Sequence, residues 1–183
     1  MNATQCKILM IIAFKNYRDE EFTVPYAEFR KAGAQVTVCS TQLGLAQGIG
    51  GHEISVDITT KQAKAEDYNV IIYVGGKGTP SVRSDEFAIK LLTEAMRDEK
   101  KILAAICWAP TILAKAGTLK NKKATVWFGD DEEYGKKTDE VLTYYGAKYV
   151  GQDVVTDGKI VTANGAPAAL PFAQAILKKI SEI

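Results

Sequence analysis

Short apolar segments alternate along the chain with segments whose apolar residues recur at helical spacing. The apolar segments predict buried strands, at residues 8–14, 35–40, 70–74, 102–106 and 124–126. The amphipathic segments predict helices, at residues 18–32, 84–98 and 108–116. Ser84 is the expected N-cap of the second helix, and Gly33 and Gly117 end the first and third. Such alternation is typical of an α/β fold, with a mainly parallel sheet and helices on both faces.

The end of the chain follows a different pattern. Residues 154–156 and 160–163 flank Asp157-Gly158, a dipeptide typical of hairpin turns, and a last helix is expected over residues 167–180. Residues 45–60 hold several glycines and then alternating apolar residues, which predicts a loop followed by an edge strand or hairpin. The sequence shows no linker or repeat, so we predict one domain over residues 1–183.

Composition and charge exclude several classes of protein. The apolar share is 46% and the charged share 25%, both typical of a globular protein. Lys and Arg number 23 against 22 Asp and Glu, a net charge of +1, which argues against a nucleic-acid binder or an anionic-membrane binder. The apolar run at residues 8–14 is too short to span a bilayer.

The chain has three widely spaced cysteines, Cys6, Cys39 and Cys107, and one histidine, His52. An odd number of cysteines without a C-x-x-C pair disfavours a disulfide framework or a zinc ribbon and favours the reducing cytoplasm. A single histidine leaves no His-rich metal site and weakens any mechanism that needs an imidazole. We expect no metal, and we interpret His52 as a turn or surface residue.

Cys107 lies between a buried strand and a helix, in the segment AAICWAP. This is the layout of a nucleophile elbow, in which a tight turn exposes the nucleophile above the sheet. The helix N-terminus, and Lys77 if it leans over the site, would favour a thiolate. The alternative is that Cys107 is a small buried apolar residue. Gly75-Gly76, which follow another strand, form either a tight turn or part of an oxyanion hole beside the elbow.

Five segments occur in an order that resembles the ThiJ/PfpI superfamily, also known as the DJ-one family. They are residues 8–14, Glu21-x-x-x-Pro25 with residues 30–33, VGG at 74–76, AAICWAP at 104–110 and GKIVTANGAP at 158–167. The resemblance implies a flavodoxin-like three-layer sandwich, a homodimer or higher oligomer, and chemistry without a cofactor. By position, Cys107 matches the nucleophile and Glu21 the acid that hydrogen-bonds it. The pattern of residues alone leaves Glu20 and Glu21 undecided.

The resemblance also assigns the backbone N–H groups of Gly76 and Trp108 to the oxyanion hole. Lys77 and Trp127 are expected at the pocket rim, with Phe128 and Tyr134 adding aromatic bulk. The chain departs from protease-like members, which have His where Trp108 stands and a Glu near the position of Pro80. Many members also have an Arg before Gly-Pro, where this chain reads NGAP at residues 164–167.

Three functions are compatible with these residues. The first is a cofactor-free enzyme that acts through Cys107 and Glu21 on small reactive carbonyls, as a glyoxalase or deglycase does. The second is a cysteine peptidase or amidase, which is weakened because amide cleavage needs an acid for the leaving group. The third is a redox sensor or chaperone that uses oxidation of Cys107. We expect a protonated Glu21 to hold Cys107 as thiolate, with the two groups sharing one proton.

Overall fold

A computed structural model describes residues 2–183. The strands are β1 Lys7–Ile11, β2 Lys15–Tyr17, β3 Gln35–Ser40, β4 Gly44–Gly48, β5 Glu53–Val56, β6 Ile58–Thr59, β7 Val70–Tyr73, β8 Ile102–Ile106, β9 Lys123–Ala124, β10 Asp130–Asp131, β11 Lys136–Lys137, β12 Lys148–Tyr149, β13 Val154–Asp157 and β14 Ile160–Ala163. The helices are α1 Asp19–Lys31, α2 Thr79–Arg83, α3 Glu86–Ala95, α4 Pro110–Lys115, α5 Thr138–Tyr144 and α6 Ala169–Ser181. Short 3-10 turns occupy Ala3–Gln5, Ala65–Asp67 and Ala166–Ala168.

Seven strands form the central sheet, in the order β13-β14-β8-β7-β1-β3-β6. Neighbours pair in parallel except β13, which returns antiparallel to β14 through the predicted hairpin. Strands β7 and β8 are adjacent, with Tyr73 opposite Ala105. The segments that follow them, Gly75-Gly76 and Cys107, therefore leave the sheet side by side at its carboxyl edge, where ligand sites of open α/β sheets form.

Helices cover both faces of this sheet, as the sequence pattern predicts. Because side chains alternate along a strand, Ile8 and Met10 of β1 belong to the apolar core that contains Phe22 of α1 and Phe172 of α6. Leu9 and Ile11 face the other way, into the core that α3, α4 and α5 complete. The predicted three-layer sandwich is confirmed.

The predicted helix over residues 84–98 is wrong at its start. The chain forms α2 and then α3, and Asp85 caps α3 because its side chain accepts a hydrogen bond from the N–H of Phe87 at 3.0 Å. Ser84 ends α2 instead, and its hydroxyl donates to the carbonyl of Pro80. Ser84 and Asp85 are adjacent and both residue types favour the N-cap position, so the sequence did not decide between them. The short helix α2 follows directly after the glycines and was not recognised from the sequence.

Other bounds shift for local reasons. The strand expected over residues 8–14 ends at Ile11, and the helix expected from residue 108 begins at Pro110. The strand expected over 124–126 covers only Lys123–Ala124, which pairs with β12 outside the central sheet. The segment 45–60 does form a hairpin, β4–β5, which joins β2 in a three-stranded sheet. Among the helices of residues 2–183, none is long and apolar enough to cross a membrane.

Candidate active site

Cys107 sits at a strained turn between β8 and α4. Its φ angle is 63°, in the left-handed region that costs energy for any side chain with a Cβ. Two backbone hydrogen bonds hold this conformation: the N–H of Cys107 donates to the carbonyl of Ala163, and the carbonyl of Cys107 accepts from the N–H of Trp127, both at 2.8 Å. The geometry is that of a nucleophile elbow, since it lifts the side chain above the sheet edge.

The backbone N–H groups of Gly76 and Trp108 point at the Cys107 sulfur. Both act as hydrogen-bond donors that lower the pKa of the thiol. Gly76 has a φ angle of 115°, and a Cβ built on it would lie 2.5 Å from the backbone nitrogen of Arg18. Only glycine therefore lets the loop pass between the start of α1 and the sulfur, which explains the Gly-Gly pair in the sequence.

Glu21 enters the same pocket from the first turn of α1. The residue is 2% exposed, and its Oε2 is buried with no hydrogen-bond partner among residues 2–183. A Cβ built on Gly75 would lie 2.8 Å from this oxygen and 2.6 Å from the Cβ of Cys107, so both residues contact the same glycine. Glu20 points away and forms a 3.0 Å ion pair with Arg18, with both side chains about half exposed. The structure thus distinguishes the two acids by orientation.

The Glu21 carboxyl group and the Cys107 thiol face each other, and each shifts the pKa of the other. Burial raises the pKa of Glu21 to about 7, and hydrogen bonding from the Cys107 thiol and the positive charge of Arg18 offset only part of that rise. Burial also raises the pKa of Cys107 well above its ordinary value, and the negative charge of Glu21 adds to the effect. The expected neutral-pH thiolate is therefore wrong in direction. Both shifts favour the protonated thiol, with Glu21 the more acidic group of the pair and so the candidate base beside it.

The other two cysteines lie in the packed core. Cys6 and Cys39 are 0% exposed, whereas Cys107 is partly exposed, and all three thiols are free. Burial raises the pKa of Cys6 to about 11 and that of Cys39 to about 12. Among residues 2–183, no group of three or more His, Cys, Asp or Glu side chains could hold a metal ion.

The residues expected at the pocket rim do not lie together in one place. The rings of Trp127 and Trp108 lie 5.9 Å apart, and Trp127 is 39% exposed, so this pair forms an aromatic wall beside the elbow. Phe128 is exposed, and the ring of Tyr134 covers the Arg83 guanidinium at 4.7 Å. Lys77 is exposed, and within residues 2–183 it has no ion pair or hydrogen bond to Glu21 or Cys107.

His52 occupies the turn between β4 and β5, and its bonds are structural. Its backbone N–H donates to Oδ1 of Asp19 at 2.7 Å, and its ring Nδ1 lies 2.7 Å from the hydroxyl of Tyr17. The Tyr17 hydroxyl also lies 2.9 Å from the carbonyl of His52. The hairpin tip is thereby tied to the start of α1, as expected for a turn histidine.

Sequence reasoning missed three residues that contact Trp108 or its partners: Arg83, Thr111 and Asp131. The indole Nε1–H of Trp108 donates to Oδ2 of Asp131 at 2.7 Å, and Asp131 pairs with the fully buried Arg83. These contacts join residues 23 and 48 positions apart, so no local pattern indicates them. The only feature that the sequence offered was Arg83, which is the one charged residue in the segment 78–84.

Comparison with known proteins gives consistent results. The sequence model described as the DJ-1/PfpI family matches residues 6–179. An uncharacterised protein of Methanocaldococcus jannaschii is 36% identical over 99% of this chain and 85% of its own length. The protein named deglycase PfpI of Pyrococcus furiosus is 29% identical over 86% of this chain and 89% of its own. A ThiJ/PfpI domain protein of Brachyspira murdochii has a crystal structure that matches with a TM-score of 0.86 and 27% identity, over 97% of both chains.

Proposed function

The chain belongs to the DJ-1/PfpI family, and from that premise we propose that it is a cysteine-dependent enzyme acting on small reactive carbonyls such as methylglyoxal. Relatives from Pyrococcus that are named deglycases, at 29% identity, support a glyoxalase- or deglycase-like role. The observation that carries the proposal is the buried Glu21 carboxyl beside Cys107, with its pKa raised to about 7. A base with that pKa is matched to proton transfer near neutral pH.

The first step is addition of sulfur to the aldehyde. Glu21, ionised, accepts the thiol proton while the sulfur of Cys107 bonds to the carbonyl carbon. The π electron pair moves to oxygen, and the resulting alkoxide lies against the N–H groups of Gly76 and Trp108. Glu21 then returns the proton to that oxygen. The product is a hemithioacetal, and no proton has been gained or lost overall.

The second step is an internal redox exchange. Glu21 removes the C–H proton of the former aldehyde carbon and delivers it to the neighbouring ketone carbon, while the hydroxyl proton moves to the ketone oxygen. The former aldehyde carbon is thereby oxidised to a thioester and the ketone carbon is reduced to an alcohol, so no external oxidant is consumed. Water hydrolyses the thioester, which releases lactate and restores the thiol.

The amidase alternative finds less support in this pocket. An amide leaving group must be protonated, usually by an imidazole next to the nucleophile. The side chain at that position is the Trp108 indole, whose N–H is bonded to Asp131. The one histidine, His52, has its imidazole Nδ1 2.7 Å from the Tyr17 hydroxyl, in the turn between β4 and β5.

The direct test is formation of lactate from methylglyoxal by the purified protein. The expected result is turnover by the parent and none by Cys107→Ala, with Cys39→Ala as the matched control that keeps the nucleophile. Casein hydrolysis in parallel tests the amidase. Absence of lactate under conditions where the protein is folded would refute the carbonyl proposal.

A redox role is a second candidate, favoured because Cys107 is the only one of the three free thiols that is not fully buried. Oxidation would convert it to sulfenic and then sulfinic acid. The two candidates are distinguished by mass spectrometry after peroxide treatment together with the lactate assay. An oxidised Cys107 in a protein that produces no lactate would favour the sensor.

We further propose that the protein is a homodimer, as the family resemblance implies, and that it is cytoplasmic. The apolar side chains of Leu43, Leu45 and Ile49 are 55%, 53% and 40% exposed at the β4–β5 hairpin, and a second copy would shield them from water. The three free thiols suit a reducing compartment. Sedimentation velocity at micromolar concentration tests the assembly, and a monomer alone would contradict it.

A further inference from the structure

Two hydrogen-bond chains run from the guanidinium of Arg83 to one residue, Trp108. In the first, Nη1 of Arg83 donates to Oγ1 of Thr111 at 2.9 Å, and that hydroxyl donates to the carbonyl of Trp108 at 2.8 Å. In the second, Nη1 and Nη2 donate to the Asp131 carboxylate at 2.5 and 2.9 Å, and Asp131 accepts the indole N–H of Trp108. Trp108 is therefore held at its backbone and at its side chain by the same cation.

The guanidinium of Arg83 is buried and held by several partners. Arg83 and Asp131 are 0% and 1% exposed, and Nη2 of Arg83 makes a further ion pair with Glu133 at 2.6 Å. The ring of Tyr134 lies 4.7 Å from the guanidinium carbon. A buried charge whose donors are all occupied by such partners has little freedom to move, because any displacement leaves a charge unpaired.

Trp108 is also the residue whose backbone N–H points at the Cys107 sulfur, next to a backbone held at a strained φ angle. A strained turn persists only when its surroundings determine it. We propose that Arg83, Thr111 and Asp131 are positioning residues, which fix the peptide of Trp108 so that its N–H stays on the sulfur and on the oxyanion that forms there. The catalytic part of this inference rests on the proposed carbonyl chemistry.

Two variants each cut one chain without removing the buried charges. Thr111→Val removes the hydroxyl that links Arg83 to the Trp108 carbonyl, and Trp108→Phe removes the indole donor while keeping the backbone N–H. Thr111→Ser restores the hydroxyl and serves as rescue. The matched control is Thr118→Val, since Thr118 is also buried and its hydroxyl donates to the carbonyl of Leu113, with no bond to Arg83 or Trp108.

The expected result is a fall in kcat of about 10-fold for Thr111→Val and Trp108→Phe, with KM changed less than about twofold. The loss is smaller than the roughly 10²–10³-fold loss on outright removal of an oxyanion-hole donor, because the N–H is loosened and not deleted. Thr111→Ser should recover most of the rate, and Thr118→Val should keep the parent kcat despite a similar loss of thermal stability.

The alkylation rate of Cys107 by iodoacetamide against pH provides a readout independent of turnover. Loosening the Trp108 N–H should lower the alkylation rate of Cys107 at each pH in Thr111→Val and Trp108→Phe, because less thiolate is present, and leave it unchanged in Thr118→Val. A parent protein without lactate formation would refute the proposed function, and this profile would still decide the positioning role. Equal behaviour of Thr111→Val and Thr118→Val in the alkylation profile would overturn the inference.

Discussion

Glu21 and Cys107 meet across Gly75, and each alters the ionisation of the other. Hydrogen bonding by the thiol opposes the raised pKa of the carboxyl group, while the carboxylate charge raises the pKa of the thiol. Because the carboxyl group is the more acidic of the two, it serves as base and the thiol as the protonated nucleophile. The chemistry of the pocket therefore depends on when Glu21 is ionised.

The rate of carbonyl turnover should rise with pH through a midpoint of about 7, where Glu21 loses its proton. Glu21→Gln should reduce kcat by roughly 10²–10⁴-fold, the usual contribution of a general base. Initial rates of lactate formation between pH 5 and 9 measure both. A parent profile that is flat across this range would contradict the assignment of Glu21 as base.

Removing the carboxylate should also change the cysteine. Its charge and its hydrogen bond both raise the pKa of Cys107, so Glu21→Gln should shift the midpoint of Cys107 alkylation to lower pH than in the parent. The same shift should not follow Glu20→Gln, because that side chain faces solvent and pairs with Arg18. An upward shift in Glu21→Gln would instead show that a protonated Glu21 stabilises the thiolate.

Burial of Glu21 should cost stability once it ionises. Its pKa is about 7 in the folded protein against an ordinary 4.5, so the folded state binds more protons between these values. Stability is full below pH 4.5 and falls as pH rises through about 7. At pH 8 the free energy of unfolding of Glu21→Gln, measured by urea denaturation, should therefore exceed that of the parent by roughly 3 kcal/mol, with a smaller difference near pH 4.5. A pH-independent difference would contradict this explanation.

Gly76 and Gly117 both have a positive φ angle, but only Gly76 is crowded. Substitutions at the two positions therefore distinguish the cost of backbone strain from the cost of a steric clash. A Cβ on Gly76 would lie 2.5 Å from the nitrogen of Arg18, whereas one on Gly117, with φ 77°, would have open space within 4 Å as far as residues 2–183 are concerned. Gly117→Ala should cost about 1 kcal/mol through strain alone. Gly76→Ala should cost several times more, or abolish turnover if the loop moves aside. Urea denaturation and the lactate assay measure the two effects, and equal losses would show that the space around Gly76 does not matter.

The three thiols should label in a fixed order. Cys107 is the partly exposed one, so iodoacetamide should modify it before Cys6 and Cys39, which are fully buried. Peptide mapping of the native protein at pH 8 gives the order, and the label should disappear in Cys107→Ser. Equal labelling of all three residues in the folded protein would end the nucleophile assignment.

The sheet, its helices and the elbow were predictable because each depends on local periodicity or a short motif. The run from Ile102 to Ile106 followed by a cysteine and a proline is such a motif, and the glycines after Val74 are another. The direction of the Cys107 pKa was not predictable, since it depends first on how deeply Cys107 itself is buried and then on the nearby charge of Glu21. Burial is a property of the packed chain and opposes the helix dipole that the sequence suggested.

The network around Trp108 was beyond sequence reasoning for a different reason. Arg83, Thr111 and Asp131 come from α2, α4 and β10, and nothing in the local sequence of one specifies the others. The acidic run at residues 130–133 resembles a solvated surface loop, yet Asp131 is buried. Only the tertiary structure shows that Arg83 binds two carboxylates of that run, those of Asp131 and Glu133.

The aromatic wall has a spectroscopic consequence. Trp108 and Trp127 are the two tryptophans of the chain, and both lie at the elbow with their rings 5.9 Å apart. All indole emission of the protein therefore comes from two residues next to Cys107, since Trp108 follows it in the chain and the N–H of Trp127 donates to its carbonyl. The emission should respond to events at the sulfur, such as alkylation or hemithioacetal formation, in the folded protein. Melting curves recorded by emission and by far-ultraviolet circular dichroism should diverge whenever the elbow opens before the sheet.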